Sequence, residues 1–343
     1  MKHVLLIAGA GTLGGSTYPE LIRLGYAIDV ISLEDFANLN RRVNFIKARA
    51  DLGYLEKFLA GRRYAAIVDF VHTRGIEDLK RRMDFLLAHT DQFVFLSSYR
   101  TYADIDNVIT EDSPQWLDHP ANDRMLAEDD YAIPKAQGER YLTSLPGKNW
   151  TIIRPLISFT HFRLDLVSVG AYALLYRTKA GKKVILPEGC RDKLAGVGWA
   201  GNVGREIAHL IGKEEALGEA FTLGNPEKIT WGDVASYYEE FLGASFEWVP
   251  TEDYIAHATS GGYMDNQIIW CDRNLSRKVD LSKALRVTGL DPKTFLSCRE
   301  AVAHELTVLS ERPDLVARFD TPRAREISAK TDAYLASRGG AAR

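Results

Sequence analysis

The sequence has little of three features, and each shortage excludes a class of protein. Its 343 residues include only three cysteines, which form no CxxC pair and have no histidine at ligand spacing: Cys190, Cys271 and Cys298. We therefore predict free thiols and no metal site, rather than a disulfide framework or a zinc module. Because 43 lysines and arginines face 46 aspartates and glutamates, the net charge is only -3. This balance indicates neither a nucleic-acid partner nor an anionic membrane surface.

Long hydrophobic runs are also missing. No stretch approaches the roughly 18 apolar residues of a membrane span. The apolar run Val4–Ala8 is too short for the core of a signal peptide and leads directly into glycines. A hydrophobic fraction of 46% and a charged fraction of 26% are typical of a globular protein, and we expect a cytoplasmic one.

What the sequence does have is a glycine-rich turn close to its beginning. The uninterrupted apolar run from Val4 leads into GAGTLG at Gly9–Gly14, followed by a helical stretch and a second apolar run, Ala27–Leu33. This order predicts a buried parallel strand, a sharp turn that lets the backbone approach a pyrophosphate, and a helix whose first amides face that phosphate. The pattern therefore favours a dinucleotide-binding βαβ unit.

Short apolar runs then alternate with helical stretches through the first half of the chain. They are Val43–Ala48, Ala65–Val71, Phe93–Ser97 and Trp150–Arg154. Alternation of this kind predicts an α/β fold, a Rossmann-type doubly wound parallel sheet with a smaller C-terminal α/β substrate domain. We expect the NAD(P)-binding domain at 1–157 with segments near 196–226 returning to it, the substrate domain mainly at 158–300, and a helical extension at 301–343. Within the substrate domain, residues 164–179 have the pattern of a helix.

A tyrosine and a lysine lie four residues apart, at Tyr131 and Lys135, after the nucleotide-binding unit. On a helix this spacing puts both side chains on one face. A neighbouring ammonium lowers the pKa of a phenol, which suits the phenol to general acid/base work. Ser98, just after a predicted strand, offers a hydroxyl for the same substrate oxygen.

With these motifs in order, the chain resembles the extended short-chain dehydrogenase/reductase superfamily, in particular its NAD-dependent epimerase/dehydratase family. The resemblance also includes FVFLSS at 93–98 followed by Tyr102, TEDSP at 110–114 and IIRP at 152–155. It implies that Tyr131 is the acid/base, that Lys135 tunes it and binds the nicotinamide ribose, and that Ser98 orients the substrate. The residues it implies for cofactor binding are Gly9, Gly11, Thr12, Leu13, Gly14, Ser32, Asp51, Leu52, Phe70, Val71, His72, Tyr131, Lys135 and Pro155.

The resemblance leaves the reaction and the cofactor open. Where dehydratases of the family carry acidic residues after the Ser or Thr, this chain has Tyr99 and Arg100. We therefore expect an epimerase or keto-reductase of a nucleotide sugar or a similar alcohol/carbonyl pair. The alternatives are a reductase of a non-sugar carbonyl compound and a non-catalytic nucleotide-binding scaffold. A homodimer is possible by the same resemblance.

The cofactor is NAD or NADP. Ser32 stands where NAD-binding members usually have an aspartate, and Arg41 or Arg42 could reach a 2′-phosphate. Glu34 would repel that phosphate, which favours NAD slightly.

Overall fold

The computed structural model describes residues 2–34, 40–104, 108–129, 131–259 and 263–340. The described residues form eleven strands: β1 (His3–Ile7), β2 (Ala27–Ser32), β3 (Val43–Lys47), β4 (Ala66–Asp69), β5 (Phe93–Leu96), β6 (Trp150–Pro155), β7 (Ile157–Phe159), β8 (Val184–Pro187), β9 (Val197–Trp199), β10 (Glu219–Leu223) and β11 (Phe246–Val249).

The α-helices of the described residues differ widely in length. They are α1 (Thr12–Arg23), α2 (Leu52–Leu59), α3 (Ile76–Ala88), α4 (Asp123–Glu128), α5 (Ala132–Ser144), α6 (Ala171–Lys179), α7 (Ala200–Leu210), α8 (Trp231–Leu242), α9 (Thr251–Ala258), α10 (Tyr263–Ile268), α11 (Ser282–Thr288), α12 (Cys298–Ser310), α13 (Pro313–Val316) and α14 (Pro322–Gly340). A π-helix, Ile269–Arg273, follows α10 directly.

Seven strands form one parallel sheet in the order β10-β6-β5-β4-β1-β2-β3. The chain moves outward from β1 through β2 to β3, then returns to the other side of β1 with β4. In such a sheet the order reverses at β1, and ligands bind outside the carboxyl ends of the strands at that point. The predicted doubly wound Rossmann-type sheet is confirmed.

Both faces of this sheet are covered by helices, which explains why its strands are apolar without alternation. On one face, Val4 and Leu6 of β1 belong to a core shared with residues of α1 and α7. On the other face, Leu5 and Ile7 belong to a core shared with residues of α2, α3 and α5. Successive side chains of a strand point to opposite faces, so one short run supplies both cores.

The chain divides into two compact units. The first consists of Met1–Ser158, Gly198–Pro226 and Val279–Phe295, and contains the seven-stranded sheet. The second consists of Phe159–Val197, Glu227–Lys278 and Leu296–Arg343, and contains the parallel pair β8 and β11.

The helix predicted over residues 164–179 is wrong in its first half, because α6 begins only at Ala171. Before it, Leu166 and Val169 exchange backbone hydrogen bonds of 3.0 and 2.8 Å around Val167, whose φ is 55°. All three side chains are buried. Burial of this tight turn therefore outweighs the helical periodicity of the sequence.

None of the helices in the described ranges combines the length and the apolar character needed to cross a membrane.

Candidate active site

The glycine turn after β1 is closely packed at two of its three glycines. A Cβ on Gly14 would lie 2.5 Å from the Cα of Gly9, and a Cβ on Gly9 would lie 2.6 Å from the Cβ of Leu6. The Gly9 amide also donates to the carbonyl of Ile31 on β2 over 3.3 Å. Gly9 and Gly14 thus let the start of α1 pack directly onto the strand that precedes it.

Gly11 differs from its neighbours because its surroundings are open. A Cβ there would meet only the Ala8 carbonyl oxygen, at 3.9 Å. Gly11 is the N-cap residue of α1, no side chain caps this end, and no acidic residue lies in the first turn, which begins with Thr12 and Leu13. Open backbone and uncapped amides at a helix N-terminus suit an anionic group such as a pyrophosphate.

Beside this turn, at the carboxyl ends of β1, β2 and β4, lies a cavity of about 850 Å³. A volume of this size is typical of pockets that hold a small molecule or a cofactor. Six of the residues predicted to bind the cofactor line it: Ser32, Asp51, Leu52, Phe70, Val71 and His72. Residues that are distant in the sequence are thus brought to one cavity by the shared direction of the parallel strands.

A buried ion pair supports one wall of the cavity. Arg82 of α3 donates to both carboxylate oxygens of Asp69, at 2.5 and 3.0 Å, and to the Ala50 carbonyl at 2.7 Å. One oxygen of Asp69 also accepts the Val71 amide at 3.2 Å. Because Asp69 ends β4, this pair fixes the strand end that presents the residues from Phe70 to His72.

Tyr131 lies between residues from two other strand ends. The Arg100 guanidinium carbon lies 5.0 Å from the centroid of the Tyr131 ring. The His72 ring, which also lines the cavity, has its centroid 5.6 Å from that of Tyr131. Ser98 caps the short 3-10 helix Tyr99–Thr101, and its hydroxyl oxygen accepts the Arg100 amide at 3.2 Å. Arg100 therefore contacts both Ser98, through its amide, and Tyr131, through its guanidinium. His72 contacts Tyr131 and also lines the cavity.

Lys135 is buried, with 3% of its surface exposed, and lies one helical turn after Tyr131. Its Nζ donates to the carbonyl of Leu96, the last residue of β5, at 2.5 Å. Burial lowers the pKa of Lys135 to about 8, although the carboxylates of Asp69 and Glu139 oppose this shift. A lysine of this kind changes charge near neutral pH, which an exposed lysine does not do.

A buried polar network fixes the ends of β5 and β6 beneath these residues. Arg154 of β6 donates through Nε to both oxygens of Glu139, at 3.1 Å each, and through a terminal nitrogen at 2.6 Å. It also donates to the Tyr102 hydroxyl at 2.8 Å. The Glu139 carboxylate in turn accepts hydrogen bonds from the hydroxyl of Ser97 and from the side-chain amide of Gln115. The Glu139 carboxylate keeps the pKa of Arg154 above its usual value in spite of burial, so the guanidinium stays charged.

Comparison with solved structures finds proteins of similar fold. A Bacillus anthracis dTDP-glucose 4,6-dehydratase in complex with NAD is 15% identical, with a TM-score of 0.68 over 93% of this chain and 100% of that one. A Bacillus cereus UDP-glucuronic acid 4-epimerase in complex with UDP-glucuronic acid and NAD is 15% identical, with a TM-score of 0.64 over 90% and 99%. The human epimerase family protein SDR39U1 with NADPH is 14% identical, with a TM-score of 0.63 over 89% and 99%.

This chain has the fold of those epimerases and dehydratases. The resemblance inferred from the motifs is thus confirmed at the level of the fold. No protein-family model matches the sequence. No curated protein matches it either.

Within this epimerase/dehydratase fold, Pro155 lies outside the cavity. It ends β6 and stands opposite Leu223 of β10 in the sheet register. No group of three or more His, Cys, Asp or Glu side chains is placed to hold a metal ion in the part of the chain that the structure describes.

Sequence reasoning missed residues that hold the site together, namely Asp69, Arg82 and Glu139. Two of them left a signal in the sequence. Asp69 interrupts an otherwise apolar strand, and a buried carboxylate needs a partner. Glu139 follows Lys135 by four residues and so shares its buried helix face.

Proposed function

We propose that this protein is a nicotinamide-dependent epimerase or keto-reductase of a nucleotide sugar or a similar alcohol/carbonyl substrate. One observation carries the proposal. Tyr131 packs against His72, and His72 lines the cavity together with five other residues expected to bind the dinucleotide. A titratable phenol beside a cofactor-sized cavity is the arrangement that acid/base-assisted hydride transfer requires.

The residues present fit a dinucleotide. The uncapped start of α1 and the open side of Gly11 suit its pyrophosphate, and the cavity from Ser32 to His72 suits its adenosine end. A bound nicotinamide supplies the hydride chemistry that amino-acid side chains lack. We therefore assign dinucleotide binding to the glycine turn and to the six cavity residues predicted from the sequence.

We assign the proton chemistry to three side chains. Tyr131 gives a proton to the substrate oxygen when a carbonyl is reduced and takes one from it when an alcohol is oxidised. Ser98 orients that oxygen by a hydrogen bond. Its hydroxyl oxygen accepts the backbone amide of Arg100, and the Arg100 guanidinium lies over the tyrosine ring. Lys135, which is held by the end of β5 and has a pKa of about 8, supplies a positive charge one helical turn after Tyr131.

We further propose NAD as the preferred cofactor. The Ser32 hydroxyl donates to the Glu34 carboxylate, which places a negative charge at the end of β2 where a 2′-phosphate would lie. Arg42 donates instead to the Ile22 carbonyl, over 3.2 Å. Arg81, which lines the cavity, is paired with Asp78.

The test combines cofactor binding with one substitution. We expect calorimetric titration to show tighter binding of NAD than of NADP. With dTDP-glucose and UDP-glucuronic acid as probe substrates, Tyr131→Phe should lower turnover by roughly 10²–10⁴-fold, the usual contribution of general acid/base catalysis. The same variant should leave NAD affinity nearly unchanged, because the phenol hydroxyl acts on the substrate. Unaltered turnover would remove Tyr131 from the mechanism.

The cofactor's fate separates the alternatives. An epimerase recycles its cofactor, so the protein should retain a nicotinamide through gel filtration, as mass spectrometry can show. A reductase requires added NAD(P)H and consumes it. A protein that binds neither nucleotide would support the scaffold alternative and contradict the proposal.

A further inference from the structure

Helix α5 begins in an uncommon way. Its N-cap residue is Tyr131, with φ -124° and ψ -68°, and the tyrosine side chain makes no capping hydrogen bond. N-cap positions strongly favour Ser, Thr, Asp or Asn, because their side-chain oxygens accept the amides that the first turn leaves unpaired. A phenol at this position leaves those amides to be satisfied by another residue.

Asp129, two residues before the tyrosine, takes this role. A single oxygen, Oδ1, accepts the amides of Tyr131 at 2.9 Å, Ala132 at 2.6 Å and Ile133 at 3.2 Å. The next residue, Pro134, has no amide hydrogen to satisfy. The backbone amide of Lys135 then donates to the Tyr131 carbonyl at 3.3 Å, which is the first regular hydrogen bond of the helix.

Every amide of the first turn is therefore accounted for without the phenol. Asp129 is buried, with 5% of its surface exposed, and its own amide donates to Met125 at 3.1 Å, so both its backbone and its side chain are held. Its second carboxylate oxygen, Oδ2, is buried without a hydrogen-bond partner among the described residues. All three hydrogen bonds from the Asp129 carboxylate to the start of α5 are thus made by one oxygen, Oδ1.

We propose that Asp129 is the positioning residue of Tyr131. By accepting three consecutive amides it fixes the tyrosine at the first turn of α5, next to His72 and Arg100, and leaves the hydroxyl available to the substrate. This inference rests on the proposed function, since it assigns Asp129 a role in the proton transfer made by Tyr131. Misplacing a reacting group by about 1 Å can cost on the order of 10²-fold in rate.

The experiment compares Asp129→Ala with Asp129→Asn, measured with NAD, dTDP-glucose and UDP-glucuronic acid. We expect Asp129→Ala to lower kcat by roughly 10- to 100-fold with KM and NAD affinity nearly unchanged. Asp129→Asn keeps the accepting oxygen, and asparagine is as good a cap as aspartate, so its kcat should stay within about 3-fold of wild type. Hydrogen exchange at the amides of residues 131–133 should be faster in Asp129→Ala only.

A matched control removes a cap elsewhere. Ser297 caps α12, where its hydroxyl oxygen accepts the Glu300 amide at 3.2 Å. Ser297→Ala should lower thermal stability as a lost cap does, without changing kcat. A fall in kcat equal to that of Asp129→Ala would show that general loosening of the protein, rather than positioning of Tyr131, explains both variants.

The remaining outcomes separate this inference from the function beneath it. Normal kcat in Asp129→Ala, or equal losses in the alanine and asparagine variants, would overturn the positioning role. Slow exchange at residues 131–133 in Asp129→Ala would overturn the hydrogen-bonded clamp itself. Wild-type protein that binds neither NAD nor NADP would overturn the proposed function and leave the clamp to be judged by exchange alone.

Discussion

The two ends of the candidate site, both in the first compact unit, are built in different ways. The cavity end is open and is lined by residues at the carboxyl ends of strands, such as Ser32 at the end of β2 and Phe70 directly after β4. The reacting end is held by buried charges, with Lys135 against β5 and the Arg154–Glu139 pair beneath it. A binding surface can thus be made from backbone and strand ends, whereas the proposed catalytic groups depend on contacts between distant segments.

This difference has an energetic side. Exposed polar groups at the cavity cost little when they are unpaired, because water can satisfy them. A buried charge costs several kcal/mol unless its partners are in place, so removing one partner is far more damaging than its loss at a surface. Apart from the buried Asp69–Arg82 pair in its wall, the cavity end should therefore tolerate substitution much better than the reacting end.

The largest effect is expected from Arg154→Ala, which leaves the Glu139 carboxylate buried with Ser97 and Gln115 as its hydrogen-bond partners among the described residues. Breaking a buried pair of this kind typically costs about 3–5 kcal/mol of unfolding free energy. Urea denaturation measures this loss. The control is Arg312→Ala, which removes an arginine that makes two 2.9 Å bonds to one carboxylate, Asp314, at the surface. We expect a much smaller loss of unfolding free energy from this exposed pair, because water and salt screen it; equal losses in the two variants would contradict the comparison.

A second effect concerns Lys135 and pH. Because its pKa falls from 10.5 to about 8 on folding, the unfolded chain binds more protons between those values. Lys135 therefore lowers the stability of the folded protein below about pH 8. The unfolding free energy then increases as the pH rises from 8 toward 10.5. Relative to Lys135→Met, the wild type should gain on the order of 2 kcal/mol between pH 7 and 10.

Denaturation at several pH values checks this prediction. Lys80→Met, which removes a lysine from the surface pair with Glu77, is the matched control and should show no such gain. If the unfolding free energies of the wild type and of Lys135→Met changed in parallel across this pH range, burial would not lower the pKa of Lys135.

The smallest effects separate two glycines of the same turn. Gly14→Ala puts a methyl group 2.5 Å from the Gly9 backbone, so it should cost about 1–3 kcal/mol of stability as well as NAD affinity. Gly11→Ala meets only one oxygen at 3.9 Å, so it should leave stability within about 0.5 kcal/mol and still weaken NAD binding at least about tenfold. Thermal denaturation and calorimetry with NAD measure the two effects. Unchanged NAD affinity in Gly11→Ala would contradict a pyrophosphate at this turn.

Much of the fold could be predicted because the controlling patterns are local. Buried parallel strands are continuous apolar runs, as the run from Val4 that forms β1 shows. Residues 164–170 could not be predicted, because their helical periodicity is outweighed by burial in a turn that only tertiary contacts stabilise. The role of Arg154 was likewise hidden, since its partner Glu139 lies on a helix rather than beside it in the sequence.

By itself, the sequence determined the glycine turn, the order of strands and helices, and the spacing of Tyr131 and Lys135, because each depends on residues within a few positions of one another. Only the tertiary structure decided which residues share the cavity, which charge supports which strand end, and that Asp129 caps the helix that Tyr131 begins. These features depend on burial and on distances between segments far apart in the chain, and no local pattern encodes either.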